Sequence, residues 1–112
     1  MSNKSQSKPY PLFPLPLVLF PQMKLPLHIF EMRYREMISR CIEQGSSFGV
    51  LLTHNNKMSN VGCAAKVTEI LERFPDGEFD ILTRGVRRFV VKEYIAGKDY
   101  LQGNVVFFKD ME

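Results

Sequence analysis

Side chains with reactive chemistry are few here, and their spacing assembles no catalytic site. Cys41 and Cys63 stand apart, with no C-x-x-C pair, and only His28 and His54 could join them around a metal. Cys41 falls on the apolar stripe of a predicted helix and Cys63 on a predicted strand, so both read as small buried hydrophobes. His28, between Leu27 and Ile29, is expected to pack or to cap the helix that follows. His54 lies beside Asn55 and Asn56 in a predicted turn, where it is solvated. The carboxylate pairs Glu69/Glu72 and Asp76/Glu78 flank a second turn and read as its hydrated shell. The chain has no Gly-rich phosphate loop, dinucleotide fingerprint, paired-histidine zinc motif or nucleophile elbow. Neither catalysis nor a cofactor or metal is expected of it.

Two groups of residues remain that could bind something. Arg84, Arg87 and Arg88 form the densest positive cluster, and three guanidiniums on one strand could grip RNA phosphates. Against this, the net charge of +3 comes largely from Lys4 and Lys8 in the polar N-terminal stretch; the other 13 Lys and Arg face 12 Asp and Glu. A nucleic-acid binder carries a larger basic surplus. The arginines are therefore expected on a solvated strand face, paired with Glu69, Glu72 or Asp80. The second group is apolar. Met32 lies off the main helix stripe and Phe74 abuts a turn, so these two are the least expected to be fully buried. With Tyr34 and Arg35 beside them, they are the candidate protein-binding residues.

The elements that must position these groups follow from hydrophobic period. Pro14, Pro16, Pro21 and Pro26 exclude a helix, yet their apolar neighbours need burial. That predicts an extended, bent segment with a short edge strand at 15–20. From Phe30 the period turns helical, with Phe30, Tyr34, Met37, Ile38, Cys41 and Ile42 on one face. Gly45 is placed to end the helix in a left-handed conformation, and Arg40 to sit in its last turn. A strand at 48–53 and a turn at 54–57 follow, with 58–60 extending the loop. Val61, Cys63, Ala65 and Val67 alternate; the inward phase then switches near Glu69, predicting a bulge. Pro75-Asp76-Gly77 turns the chain into the strand Phe79–Ile81–Thr83, which Gly85 is expected to break or bend. A last strand covers 100–108. The fold class is therefore mainly β with one inserted α-helix, an antiparallel and partly closed barrel.

Residues 1–8 are expected to form a disordered tail and 9–112 a single domain. The stretch holds no apolar run of the ~18 residues a membrane helix needs and no signal-peptide core, making the cytoplasm the expected compartment.

A family resemblance rests on particular residues. Leu12-Phe13-Pro14-Leu15, then Phe20-Pro21-x-Met23-x-Leu25-Pro26-Leu27-x-Ile29-Phe30-Glu31-x-Arg33-Tyr34-x-x-Met37, resembles the N-terminal signature of the Lon substrate-binding domain. Val61-Gly62-x-x-Ala65-Lys66-Val67, Pro75-Asp76-Gly77 and Gly85-x-x-Arg88-Phe89 match that family's hairpin in order and spacing. The resemblance implies a PUA-like pseudo-barrel that gathers unfolded or damaged protein substrates, contributes to self-association and carries no catalysis of its own. It further implies that the family continues into a helical region missing here, so a longer parent is expected; the family includes both ATP-dependent Ser-Lys proteases and stand-alone proteins, and the sequence leaves open which of the two this parent is. Position 32 is Met, where many members open the helix with Pro.

Overall fold

The computed structural model describes residues 8–109, so the expected tail, apart from Lys8, lies outside the described residues. The chain runs β1 (Tyr10–Leu15), β2 (Lys24–Ile29), α1 (Met32–Gln44), β3 (Phe48–His54), β4 (Lys57–Arg73), β5 (Phe79–Ile95) and β6 (Gln102–Phe107). The sheet order is β2-β5-β4-β3-β1-β6, and β5 pairs again with β6. That last pairing closes β5, β4, β3, β1 and β6 into a ring. β2 stays outside it, paired with the first half of β5 from Phe79 to Arg84, while β6 takes the second half. The mainly β barrel with one inserted helix is thus present, antiparallel except for the parallel β1–β3 pair.

The proline-rich start folds differently from the expected strand at 15–20. Pairing falls on either side of it, in β1 and β2, and 16–20 crosses between them. The crossing ends in a turn in which the Met23 N–H donates to the Phe20 carbonyl at 3.0 Å. Pro21 and Gln22, the latter at φ 75°, give the pattern of a type II turn. This turn docks on β5: Gln22 N–H donates to the Gly85 carbonyl and Gly85 N–H to the Met23 carbonyl, both at 2.8 Å. A Cβ on Gly85 would lie 2.1 Å from the Phe20 oxygen. The glycine therefore admits a crossing chain rather than ending a strand, and β5 runs on through a bulge opposite Ala64 and Ala65.

Two other expectations shift. Residues 58–60 belong to β4, because Asn55 and Asn56 both adopt positive φ (53° and 62°) and close a two-residue hairpin. Phe30 precedes the helix instead of joining its buried stripe, which is Met37, Ile38 and Cys41. Gly45 ends α1 at φ 63°, its N–H turned to the Ile42 carbonyl. With α1 ending at Gln44, Arg40 lies above the last turn and pairs with Glu36 at 3.1 Å. The bulges expected near Glu69 are present.

Two apolar clusters fill the molecule. The larger lies under α1 and includes Phe13, Ile29, Met37, Ile38, Phe48, Phe79 and Ile81. The smaller fills the ring: Leu12, Leu51, Phe89 and Val91. Both cysteines are buried and free, and burial raises their thiol pKa values, the state of inert core thiols. Thr83, the fully buried hydroxyl of β5, donates to the Leu25 carbonyl at 2.8 Å, which ties β2 to the ring.

A candidate protein-binding lip

Where β2 ends and α1 begins, the chain meets the tip of the β4–β5 hairpin. Met32 opens the helix 73% exposed, and Phe30 just before it is 56% exposed. Phe74, at the hairpin tip, is half-buried. His28 joins the two elements: its ring stacks on Phe30 at 5.9 Å and meets Phe74 edge-on at 5.8 Å. A cavity of about 350 Å³ opens beside them, floored by Phe13, Leu15, Leu27 and Ile29 and edged by Glu31 and Arg33. Tyr34 lines its wall, stacked on Phe13 at 4.2 Å with Arg33 over its other side at 5.0 Å. The result is an apolar lip with a groove behind it.

Polar side chains hold the lip in place. His28 faces Asp80 directly across the β2–β5 pairing. Its Nδ1 lies 2.6 Å from an Asp80 oxygen and its Nε2 2.9 Å from a Glu78 oxygen. Carboxylates only accept, so the geometry is that of an imidazolium donating from both nitrogens. The hydrogen bond to Asp80, then that to Glu78, raises the His28 pKa above its ordinary 6.5. Because the two carboxylates sit on opposite nitrogens, they share no point at which a metal could bind. Arg35 braces the same corner. Its Nε donates to the Phe30 carbonyl at 2.9 Å and a terminal nitrogen to the Asp76 carbonyl at 3.0 Å, with Glu78 at 3.7 Å. Gly77, at φ 97°, leaves room for that guanidinium, since a Cβ there would come within 2.7 Å of it.

Of the four residues predicted to bind, Met32 stands exposed at the helix start, Phe74 meets His28, Tyr34 lines the groove, and Arg35 is engaged within the molecule. Sequence reasoning missed Phe30, which the helical period assigned to the buried face, and His28, expected to pack or cap. The Asp76/Glu78 pair also does more than hydrate a turn: Asp76 accepts from the Glu78 N–H at 3.0 Å while Glu78 holds His28. The deciding fact is the register, since His28, between Leu27 and Ile29, faces the Glu78-x-Asp80 arm only once β2 pairs there.

The arginine cluster is arranged otherwise than expected. None of the ion pairs among the described residues joins Arg84, Arg87 or Arg88 to Glu69, Glu72 or Asp80. Instead Arg87 lies over the Phe107 ring at 4.6 Å, Arg88 over Phe108 at 5.4 Å, and Arg84 donates to the Gln22 side chain at 3.1 Å. Arg87 and Arg88 lie at the end of β5 that meets β6, past the acidic hairpin arm.

The fold is a barrel that carries an exposed apolar lip at its helix junction. Comparison with known proteins then gives its family. The sequence profile of the ATP-dependent protease La (LON) substrate-binding domain matches residues 9–112, and the chain belongs to that family. It is 26% identical over 103 residues to the Lon protease of Cytophaga hutchinsonii and 27% identical over 109 residues to that of Parabacteroides distasonis. Those matches cover 85% and 89% of this chain but only 12% and 13% of the relatives' length. Among solved structures, a Lon N-terminal domain protein from Xanthomonas campestris shares 32% identity at a TM-score of 0.79, over 92% of this chain and 61% of that one. The N-terminal domain of the Mycobacterium avium complex Lon protease shares the fold (TM-score 0.72, 18% identity, 94% of this chain and 57% of that one). No helix among the described residues is long and apolar enough to cross a membrane.

Proposed function

We propose that this domain captures exposed apolar segments of unfolded or damaged proteins on the lip formed by Phe30, Met32 and Phe74. Its role would be to present them to a Lon-type ATP-dependent protease, carried by a longer parent chain or acting as a partner in the cytoplasm. The observation that carries this reading is the exposure of Phe30 and Met32 beside an apolar groove, in a family described by substrate binding.

Energetics set the expected behaviour. Fully withdrawing a side chain of this size from water contributes roughly 1.5–3 kcal/mol, and association opposes it with lost freedom of motion. A lip of two or three such residues therefore binds weakly and releases readily. Several domains presented together would hold a client far more tightly than one. Affinity drawn from apolar area is insensitive to salt.

The test is titration of a fluorescent, permanently unfolded protein at low and high salt, with labelled RNA in parallel. Salt-tolerant capture that disappears in a Phe30→Ser/Met32→Ser variant is the expected outcome. RNA binding that falls steeply with salt and needs Arg84, Arg87 and Arg88 would overturn it. A domain that only self-associates on sedimentation, without client capture, would assign it a structural role instead.

A further inference from the structure

A second cavity, about 460 Å³ in volume, lies at the other end of α1, between the helix, the start of β1 and the loop before β6. That is within the ~300–1,000 Å³ typical of small-ligand pockets. Its charge is one-sided. Lys8, Arg40 and Lys98 line it and no carboxylate does. Glu36 holds Arg40 from outside the cavity at 3.1 Å and so engages only part of its five-donor fork. Met37, Pro9 and Pro11 give the lining an apolar part, beside the polar Gln44, Ser46 and Ser47.

One further side chain is unexplained by the fold. Gln102 lines this cavity and is only 8% exposed. Its side-chain amide has no hydrogen-bond partner among the described residues. A buried amide left unpaired costs on the order of 1–3 kcal/mol. Tyr10, by contrast, lies close by with its hydroxyl satisfied by Ser47 at 2.6 Å. An unpaired amide, three cations and an apolar wall together ask for a ligand with an acceptor head and an apolar body.

We propose that this cavity binds a carboxylate bearing a short apolar chain, its head held by Arg40, Lys98 and the Gln102 amide and its body lying on Met37, Pro9 and Pro11. Two sources share that chemistry: a free aliphatic acid and the C-terminal residue of a polypeptide. The site is separate from the lip and does not depend on the function proposed for it.

The experiment is a titration of the whole chain followed by amide chemical shifts, using hexanoate, N-acetyl-leucine, N-acetyl-leucine amide, inorganic phosphate and a hexapeptide ending in leucine, free or amidated. Shifts confined to residues around Met37, Arg40 and Gln102, with the carboxylates at least about tenfold tighter than their amides, are expected. Arg40→Gln/Lys98→Gln should weaken hexanoate about tenfold with an unchanged melting temperature, and Phe30→Ser/Met32→Ser should leave it unaltered. Gln102→Leu should weaken hexanoate while making the free domain no less stable, since it removes an unpaired polar group. A peptide acid that binds at least as well as hexanoate identifies a chain terminus as the ligand; the reverse identifies a free acid. Absence of carboxylate binding at millimolar concentration overturns the proposal, as does phosphate binding as tightly as hexanoate or indifference to the charge substitutions.

Discussion

The two halves of the long β4–β5 ribbon are held by different physics. In the inner half, from Val61 to Ala65 and Gly85 to Val90, strands close around Phe89, which is fully buried. Tyr10 and Phe107 meet its ring edge-on at 5.8 and 6.0 Å, and the backbone comes close because Gly49 and Gly62 carry no side chain. In the outer half, from Val67 to Arg73 and Phe79 to Thr83, one face lies on the core while the tip is fastened by exposed polar contacts, His28 to Asp80 and Glu78, and Arg35 to two carbonyls. The inner half is fixed by exclusion of space. The tip of the outer half, beyond its buried Phe79 and Ile81, is fixed by bonds that exchange with water and are each of small net worth. The tightly packed ring and the lip proposed to capture clients therefore lie at opposite ends of one hairpin.

That contrast can be broken first at the ring. Phe89→Ala should cost about 3–5 kcal/mol in urea unfolding, the largest effect of any single change considered. Gly49→Ala and Gly62→Ala should each cost about 1–3 kcal/mol or more, for separable reasons. At Gly49 the nearest atoms to a new Cβ are the Phe89 ring, at 2.5 and 2.8 Å, so Gly49→Ala combined with Phe89→Leu should cost less than the sum. At Gly62 the nearest atom is the Val50 carbonyl oxygen at 2.4 Å, which no side-chain change relieves; the Phe89 ring follows at 2.7 Å, so rescue there should be only partial. Equal rescue of both glycine variants by Phe89→Leu would show that space around the ring is not what sets the inner half.

Arg35→Ala, in the outer half, should cost about 1 kcal/mol and speed amide exchange at 74–78 while leaving the ring protected. The His28 contact gives a sign as well as a site. Its folded-state pKa is raised, so its contribution is complete below the unfolded value of 6.5 and is lost as pH rises through the higher folded value. Wild-type stability should thus decline with pH across that interval, and His28→Gln should remove the decline. The smallest effect belongs to the lip itself. Phe30→Ser and Met32→Ser should change stability by no more than about 0.5 kcal/mol, because both side chains are already more than half exposed. A larger loss would mean that the lip is part of the core.

Period and turn chemistry made most of the ring readable. Phe79, Ile81 and Thr83 alternate inward, Pro75-Asp76-Gly77 turns the ribbon, and Gly45 ends the helix, each for a local reason. What escaped was set by partners far along the chain. Gly85 reads as a strand breaker until the crossing turn at Phe20 is seen lying on it. Phe30 fits a helical period that begins two residues later. His28 reads as packed until the pairing brings Asp80 opposite. The incomplete burial of Met32 and Phe74 was legible because each breaks a local pattern, the helix stripe and the turn, whereas the Gln102 amide is left without a partner among the described residues by tertiary packing alone.

The pairing of β6 with both β1 and β5 bears on the timing of folding. The seam of the barrel is sealed by its last strand, so a chain emerging from the ribosome cannot enclose Leu12, Leu51 and Phe89 until residues 102–107 are clear of the exit tunnel. Until then the nascent domain displays bare apolar segments of the kind it is proposed to catch, and an already finished copy nearby would be a natural first attendant to an unfinished one.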